Sequence, residues 1–132
     1  MNATAIEPRL RDLFAADPHG AAAVYLFGST ARGTRRLDSD VDLGVLFASE
    51  APPPLAALDL EDRLERALGL PVQLVVLDRA PADLVHRVLR DGVLILDRDR
   101  SRRIRFEVRA RQEYFDLLPV LRRYRRLPEH PA

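Results

Sequence analysis

Apolar and polar positions along this chain follow two periods, and each change of period marks an element boundary. Ile6, Leu10, Leu13 and Phe14 recur at helical spacing and predict a helix from about Thr4 to Ala16, stopped by Asp17-Pro18-His19-Gly20. Ala22 to Phe27 is a short apolar run ending in glycine, which reads as a buried strand. Val41 to Phe47 alternates, with Val41, Leu43, Val45 and Phe47 on one side. After Pro52-Pro53-Pro54, Leu58, Leu64 and Leu68 suit a helix that Gly69 ends. Pro71 to Leu77 reads as a third strand. Pro81 then opens a helix with Leu84, Val85, Val88 and Leu89 inward, closed by Gly92. Val93 to Leu96 is a fourth strand, and from Arg98 onward the chain is helical, with Ile104, Val108, Phe115 and Leu118 forming an apolar face expected to pack on the core. The order predicts an α/β (α+β) domain, a mixed sheet of about four strands flanked by helices with a long C-terminal helix. The first two strands need not be parallel, so a regular doubly wound sheet is not expected.

Composition narrows the chemistry. The 132 residues carry 21 basic side chains, every one an arginine, and there is no lysine, cysteine or tryptophan. A lysine-bearing phosphate loop, Schiff-base chemistry, thiol nucleophiles, disulfides and cysteine metal sites are thereby excluded. The N-terminus has an acid and a proline where a signal peptide needs an apolar run, and Gly20 to Phe27 is too short to span a bilayer; a cytoplasmic protein with no membrane association is expected. The net charge of +1 hides an asymmetry. Residues 1–97 hold 10 arginines against 15 acids, and residues 98–132 hold 11 against 5. The first segment is read as the core, and the second as a basic helix and tail of the same domain that docks a partner.

The informative segment is Phe27 to Leu46, FGSTARGTRRLDSDVDLGVL. Gly28-Ser29 comes directly off a strand, and ten residues later Asp40-Val41-Asp42 opens the next. Side chains two apart on a strand share a face, so Asp40 and Asp42 project together while Val41 turns into the core. Paired carboxylates repel unless a cation sits between them, and hard oxygen ligands suit Mg²⁺, which also takes phosphate oxygens. Gly44 follows on the same face and is expected to leave room beside the metal. Gly28 lets the backbone approach a phosphate, and Ser29 offers a hydroxyl and an amide near a helix N-terminus. Ser39 precedes the metal strand and either orients an aspartate or caps the turn.

With its GS followed by DxD, the chain resembles the minimal nucleotidyltransferases of the DNA polymerase β-like superfamily, from Ala22 to about Leu96. It is most similar to the MNT-type antitoxins encoded beside HEPN-domain toxins, and the ending FEVRARQEYFDLLPVLRRYRR resembles their C-terminal helix. The resemblance implies a polymerase β-like core that binds ATP at Gly28 and Ser29 and Mg²⁺ at the catalytic Asp40 and Asp42. It also implies transfer of AMP from ATP to a tyrosine hydroxyl of the partner toxin, which neutralises an RNase. The superfamily's third carboxylate falls on Gln73, within an otherwise apolar strand. Glutamine can offer its carbonyl to the bound cofactor but cannot take a proton, and a lost general base costs about 10²–10⁴ in rate. Asp78 has the opposite parity and is not promoted to the vacancy.

Three functions follow: an adenylyltransferase antitoxin with activity weakened at Gln73, a non-catalytic antitoxin that acts by binding, and a nucleotidyltransferase for a small molecule or RNA end. The last normally needs an added acceptor domain, which residues 98–132 are too short to form. Arg32, Arg35 and Arg36 stand between the motifs as phosphate candidates. His19, His86 and His130 show no ligand spacing and are read as ordinary surface or helix residues. Beyond Pro119, Val120, Leu121, Tyr124 and Leu127 alternate with Arg122, Arg123, Arg125 and Arg126. This stretch suits either RNA or a protein groove, and the acidic body argues against broad nucleic-acid binding. The expected partner is a HEPN toxin, with any oligomer formed through that complex.

Overall fold

The structure, a computed structural model, describes residues 3–28, 31 and 40–126. Its elements are α1 (Ala3–Ala16), β1 (Ala21–Phe27), β2 (Val41–Phe47), α2 (Pro54–Leu68), β3 (Val72–Val76), α3 (Ala82–Asp91), β4 (Val93–Asp97) and α4 (Arg100–Arg126), with a 3-10 turn at Leu77–Arg79. The strands form one mixed sheet in the order β3-β2-β1-β4. β1 is antiparallel to both β2 and β4, while β2 and β3 run parallel. No helix among the described residues is long and apolar enough to cross a membrane.

Both sheet faces are covered, which is why β1 reads as a near-continuous apolar run. On one face Val24, Leu26, Val41, Leu43, Val45 and Phe47 pack against Ile6, Leu10 and Phe14 of α1 and Leu60, Leu64 and Leu68 of α2. Each such side chain removed from water contributes about 1.5–3 kcal/mol. Leu58, expected inward, instead points to solvent, because the buried stripe of α2 runs through Leu60, Leu64 and Leu68. The other face, built from Ala23, Tyr25 and Leu46, receives Val85 and Val88 of α3 and Ala110 of α4.

β3 is an edge strand whose outward N–H groups would otherwise face water or another chain. Glu65 Oε1 accepts from Val72 N–H at 2.9 Å and Glu61 Oε2 from Leu74 N–H at 2.8 Å. The two glutamates lie one helical turn apart on α2, so a single helix face closes the edge.

The long helix α4 departs from the expected packing. Val108 is 60% and Phe115 70% exposed, and Ile104 is exposed with them. Phe106, Ala110 and Tyr114 turn inward in their place, accompanied by the polar Arg103 and Glu107. The reason lies in the sheet: Tyr25 sits on this face and its hydroxyl donates to Glu107 Oε2 at 2.5 Å. Burial, reinforced by the Glu107 carboxylate, pushes the Tyr25 phenol above its ordinary value. Arg103 pairs with Glu107 at 3.0 Å and lies 3.0 Å from Asp97. Farther along, Tyr114 stacks on His86 of α3 with centroids 3.7 Å apart. His86, read from the sequence as an ordinary position, thus joins two helices. The helix continues through Pro119 to Arg126.

Candidate active site

The open end of the sheet brings three of the sequence motifs onto one rung. Phe27 lies opposite Asp42 in the antiparallel β1–β2 pair, and Asp42 lies opposite Gln73 in the parallel β2–β3 pair. Gln73 therefore stands beside Asp42 on the next strand and on the same face. Above this rung is a cavity of about 480 Å³ lined by Phe27, Gly28, Asp42, Gln73, Val75, Leu84, Arg87 and Asp91. That volume falls in the usual range for a small-molecule site.

Gly28 terminates β1 with φ +75°, a left-handed conformation that disfavours any side chain. A Cβ built there would run into Asp42 Oδ2 and come within 3.0 Å of Asp42 Cγ. The missing side chain lets the Asp42 carboxylate lie close against the Gly28 backbone at the cavity wall. Hard carboxylate oxygens lining a cavity fit a small divalent cation.

Asp40 precedes β2 and is exposed. It flanks the fully buried Val41 on the side opposite to the core, as does Asp42, though Asp40 is not among the cavity-lining residues. Ser29, Ser39, Arg32, Arg35, Arg36, Leu127 and His130 lie outside the described residues. Gly44 corrects an expectation. It shares the Asp42 face, but a Cβ there would lie 3.1 Å from Val88 Cγ1 and 3.2 Å from Leu77 Cδ2, so its small size admits α3 and Leu77 rather than a metal.

Asp78 is occupied elsewhere. Its Oδ1 accepts the Phe47 N–H at 3.1 Å and its Oδ2 the Arg102 Nη2 at 3.1 Å, while Arg102 Nε donates to the Phe47 carbonyl at 2.6 Å. This closed pairing fastens α4 to the far end of β2.

Two cavity residues escaped the sequence reading, Arg87 and Asp91. Both come from α3, which turns Val85 and Val88 into the core and presents Leu84, Arg87 and Asp91 to the cavity. That i, i+3, i+7 stripe was the available signal. The C-terminus of α3 is held close to β1 at Gly92. A Cβ on Gly92 would collide with the Val88 carbonyl and lie 3.4 Å from that of Leu26. Asp91 accepts two hydrogen bonds from Arg90, each 2.9 Å.

A glycine-closed strand end against a strand carboxylate, in a cavity that an arginine also lines, offers groups that suit a phosphorylated ligand. Comparison with known proteins gives the family. Residues 10–101 match the family described as Polymerase beta, Nucleotidyltransferase. The protein adenylyltransferase MntA of Thermococcus cleftensis is 38% identical over 92 residues, covering 70% of this chain and 87% of the relative. The chain belongs to the polymerase β-type nucleotidyltransferase family. Among solved structures, a toxin–antitoxin crystal structure with AMP-PNP superposes with a TM-score of 0.77 at 27% identity, over 89% of this chain and 94% of that one. A complex of a tri-AMPylated Shewanella oneidensis HEPN toxin with its MNT antitoxin gives 0.72 at 24% identity, over 92% and 94%, a likeness of fold.

Proposed function

We propose that this chain is an antitoxin-type protein adenylyltransferase that transfers AMP from ATP to a tyrosine hydroxyl of a partner HEPN toxin and thereby neutralises it. The observation that carries the reading is the Phe27–Asp42–Gln73 rung with the Asp42 carboxylate set close against Gly28. The similarity to an adenylyltransferase and to a toxin–antitoxin structure holding AMP-PNP supports the substrate and the partner.

Asp40 and Asp42 would hold Mg²⁺, with Gly28 and Ser29 admitting the phosphates and Ser39 and Gln73 flanking them. The ion supplies charge neutralisation at the reacting phosphate when bound. In the transfer, the tyrosine oxygen forms a bond to the α-phosphorus while the bond from that phosphorus to the β-phosphate bridging oxygen breaks. Pyrophosphate leaves with the electron pair. Gln73 has no basic atom to receive the hydroxyl proton, which goes to another acceptor, such as water, a group of the partner or a cavity carboxylate. A glutamine in that position would slow the activation of the nucleophile and so weaken turnover.

A second reading rests on that same glutamine: an antitoxin that neutralises by binding alone. Residues 98–132 form the docking segment under either reading. Phe115 and Val108 are exposed there among arginines, and aromatic and arginine side chains are enriched at interface hot spots. Mass spectrometry of the co-expressed toxin separates the two. Adenylylated toxin with the wild type and unmodified toxin with Asp42→Ala support transfer. Unmodified toxin in a stable wild-type complex selects the binding reading.

A further inference from the structure

α3 contributes an arginine to the site that neither of its sequence motifs contains. Arg87 lines the same cavity as Gly28, Asp42 and Gln73, and among the described residues it makes no hydrogen bond or ion pair. Its neighbours differ. Arg90 is engaged bidentately by Asp91, Arg102 by Asp78 and Arg103 by Glu107. Among the described residues Arg87 is the one basic side chain lining this cavity, and no described carboxylate pairs with it. Its helix is well fixed, because Val85 and Val88 are buried beneath it and Gly92 closes its end against β1.

We propose that Arg87 is a polyphosphate-binding residue, gripping the pyrophosphate end of ATP; this role rests on the nucleotidyl-transfer reading of the site. Asp40 and Asp42 would hold a divalent cation, and phosphates bound there would lie beside Asp42, hence in the cavity that Arg87 lines. The guanidinium fork matches paired phosphate oxygens, and the chain has no lysine to take that role. In this position Arg87 also steadies the charge that collects on departing pyrophosphate.

The test is calorimetric titration of the full chain with ATP and with AMP in the presence of Mg²⁺, for the wild type, Arg87→Ala and Arg87→Lys. Loss of charge-assisted bonds to the distal phosphates weakens ATP binding about tenfold or more in Arg87→Ala. AMP affinity stays within about twofold, because AMP lacks those phosphates, and Arg87→Lys recovers part of the loss. Arg87 is exposed, so thermal unfolding of both variants should match the wild type. Unchanged ATP affinity in Arg87→Ala overturns the proposal, and so does an equal loss for ATP and AMP. Unchanged ATP affinity combined with slower transfer to the toxin would reassign Arg87 to the acceptor. A wild-type chain that binds no ATP removes the nucleotidyl-transfer reading together with this role.

Discussion

Gly28 and Gly69 provide a matched pair of substitutions that separates backbone strain from damage to the site. Both are left-handed, with φ +75° and +72°. An alanine at either position therefore carries a similar backbone cost, about 1–2 kcal/mol. For a chain of this size that lowers Tm by roughly 3–8 °C. Their surroundings differ: nothing lies within 4 Å of a Cβ at Gly69, whereas one at Gly28 overlaps the Asp42 carboxylate. Gly28→Ala must push Asp42 aside by something on the order of 1 Å, and a shift of that size at a reacting centre costs about 100-fold in rate. Both variants should therefore melt at similarly reduced temperatures. Gly69→Ala should retain wild-type AMP transfer per folded molecule, and Gly28→Ala should lose about 100-fold. Denaturation curves and a radiolabelled-ATP transfer assay on the purified toxin measure the two effects. If Gly28→Ala transfers AMP within threefold of Gly69→Ala, the placement of Asp42 against Gly28 is not what the chemistry needs, and the reasoning fails.

Four more outcomes follow from the geometry. Gln73→Glu restores a carboxylate beside Asp42 and should raise the transfer rate by about 10–100-fold; an unchanged rate would show that proton removal is not limiting. Tyr25→Phe should cost about 1.5–3 kcal/mol at neutral pH by removing the bond to Glu107. Because folding raises the Tyr25 pKa, its contribution is complete below about pH 10 and is lost above it, so the wild-type Tm should fall more steeply from pH 10 to 11 than that of the variant. Joint replacement of Glu61 and Glu65 by alanine uncaps the β3 edge; urea unfolding should show a loss of about 1 kcal/mol per bond and light scattering should show self-association. Phe115→Glu should leave stability within about 0.5 kcal/mol yet weaken toxin binding about tenfold in a pull-down or calorimetric assay; unchanged affinity would remove this face of α4 from the interface.

The sheet and the site rung were legible because they depend on short-range patterns. The glycine after Phe27, the alternation of Val41 to Phe47 and the parity of Gln73 each follow from period-two geometry, which a strand keeps wherever it is placed. The packing of α4 was not legible from hydrophobic spacing. Ile104, Val108 and Phe115 form a coherent apolar stripe, and nothing local says that a buried tyrosine on another strand will claim the opposite, more polar face. Leu58 failed for a related reason, since α2 offers two overlapping leucine sets and only contact with β3 and α1 chooses between them. Gly44 was placed on the correct face but given the wrong neighbour, because the spacing of a strand does not reveal which helix crosses it.

The inward polar face of α4 has a consequence for how the chain meets its partner. A helix that buried Ile104, Val108 and Phe115 would need no partner to be satisfied. Here the attachment is made instead by Arg102 on Asp78 and Phe47, by Arg103 on Asp97 and Glu107, and by Glu107 on Tyr25. These are part-buried, charge-assisted contacts, which gain strength from the low local dielectric and fix orientation more tightly than apolar packing does. Two of the basic segment's eleven arginines are used this way, while Arg105, Arg109, Arg122, Arg123 and Arg125 remain exposed. The helix is thereby locked to the sheet through its polar side, with its apolar stripe and most of its positive charge directed outward. The charge asymmetry of the sequence thus has two parts in space: a few arginines that hold the helix on the acidic body, and a larger exposed set that, with Phe115, makes the surface we propose for docking.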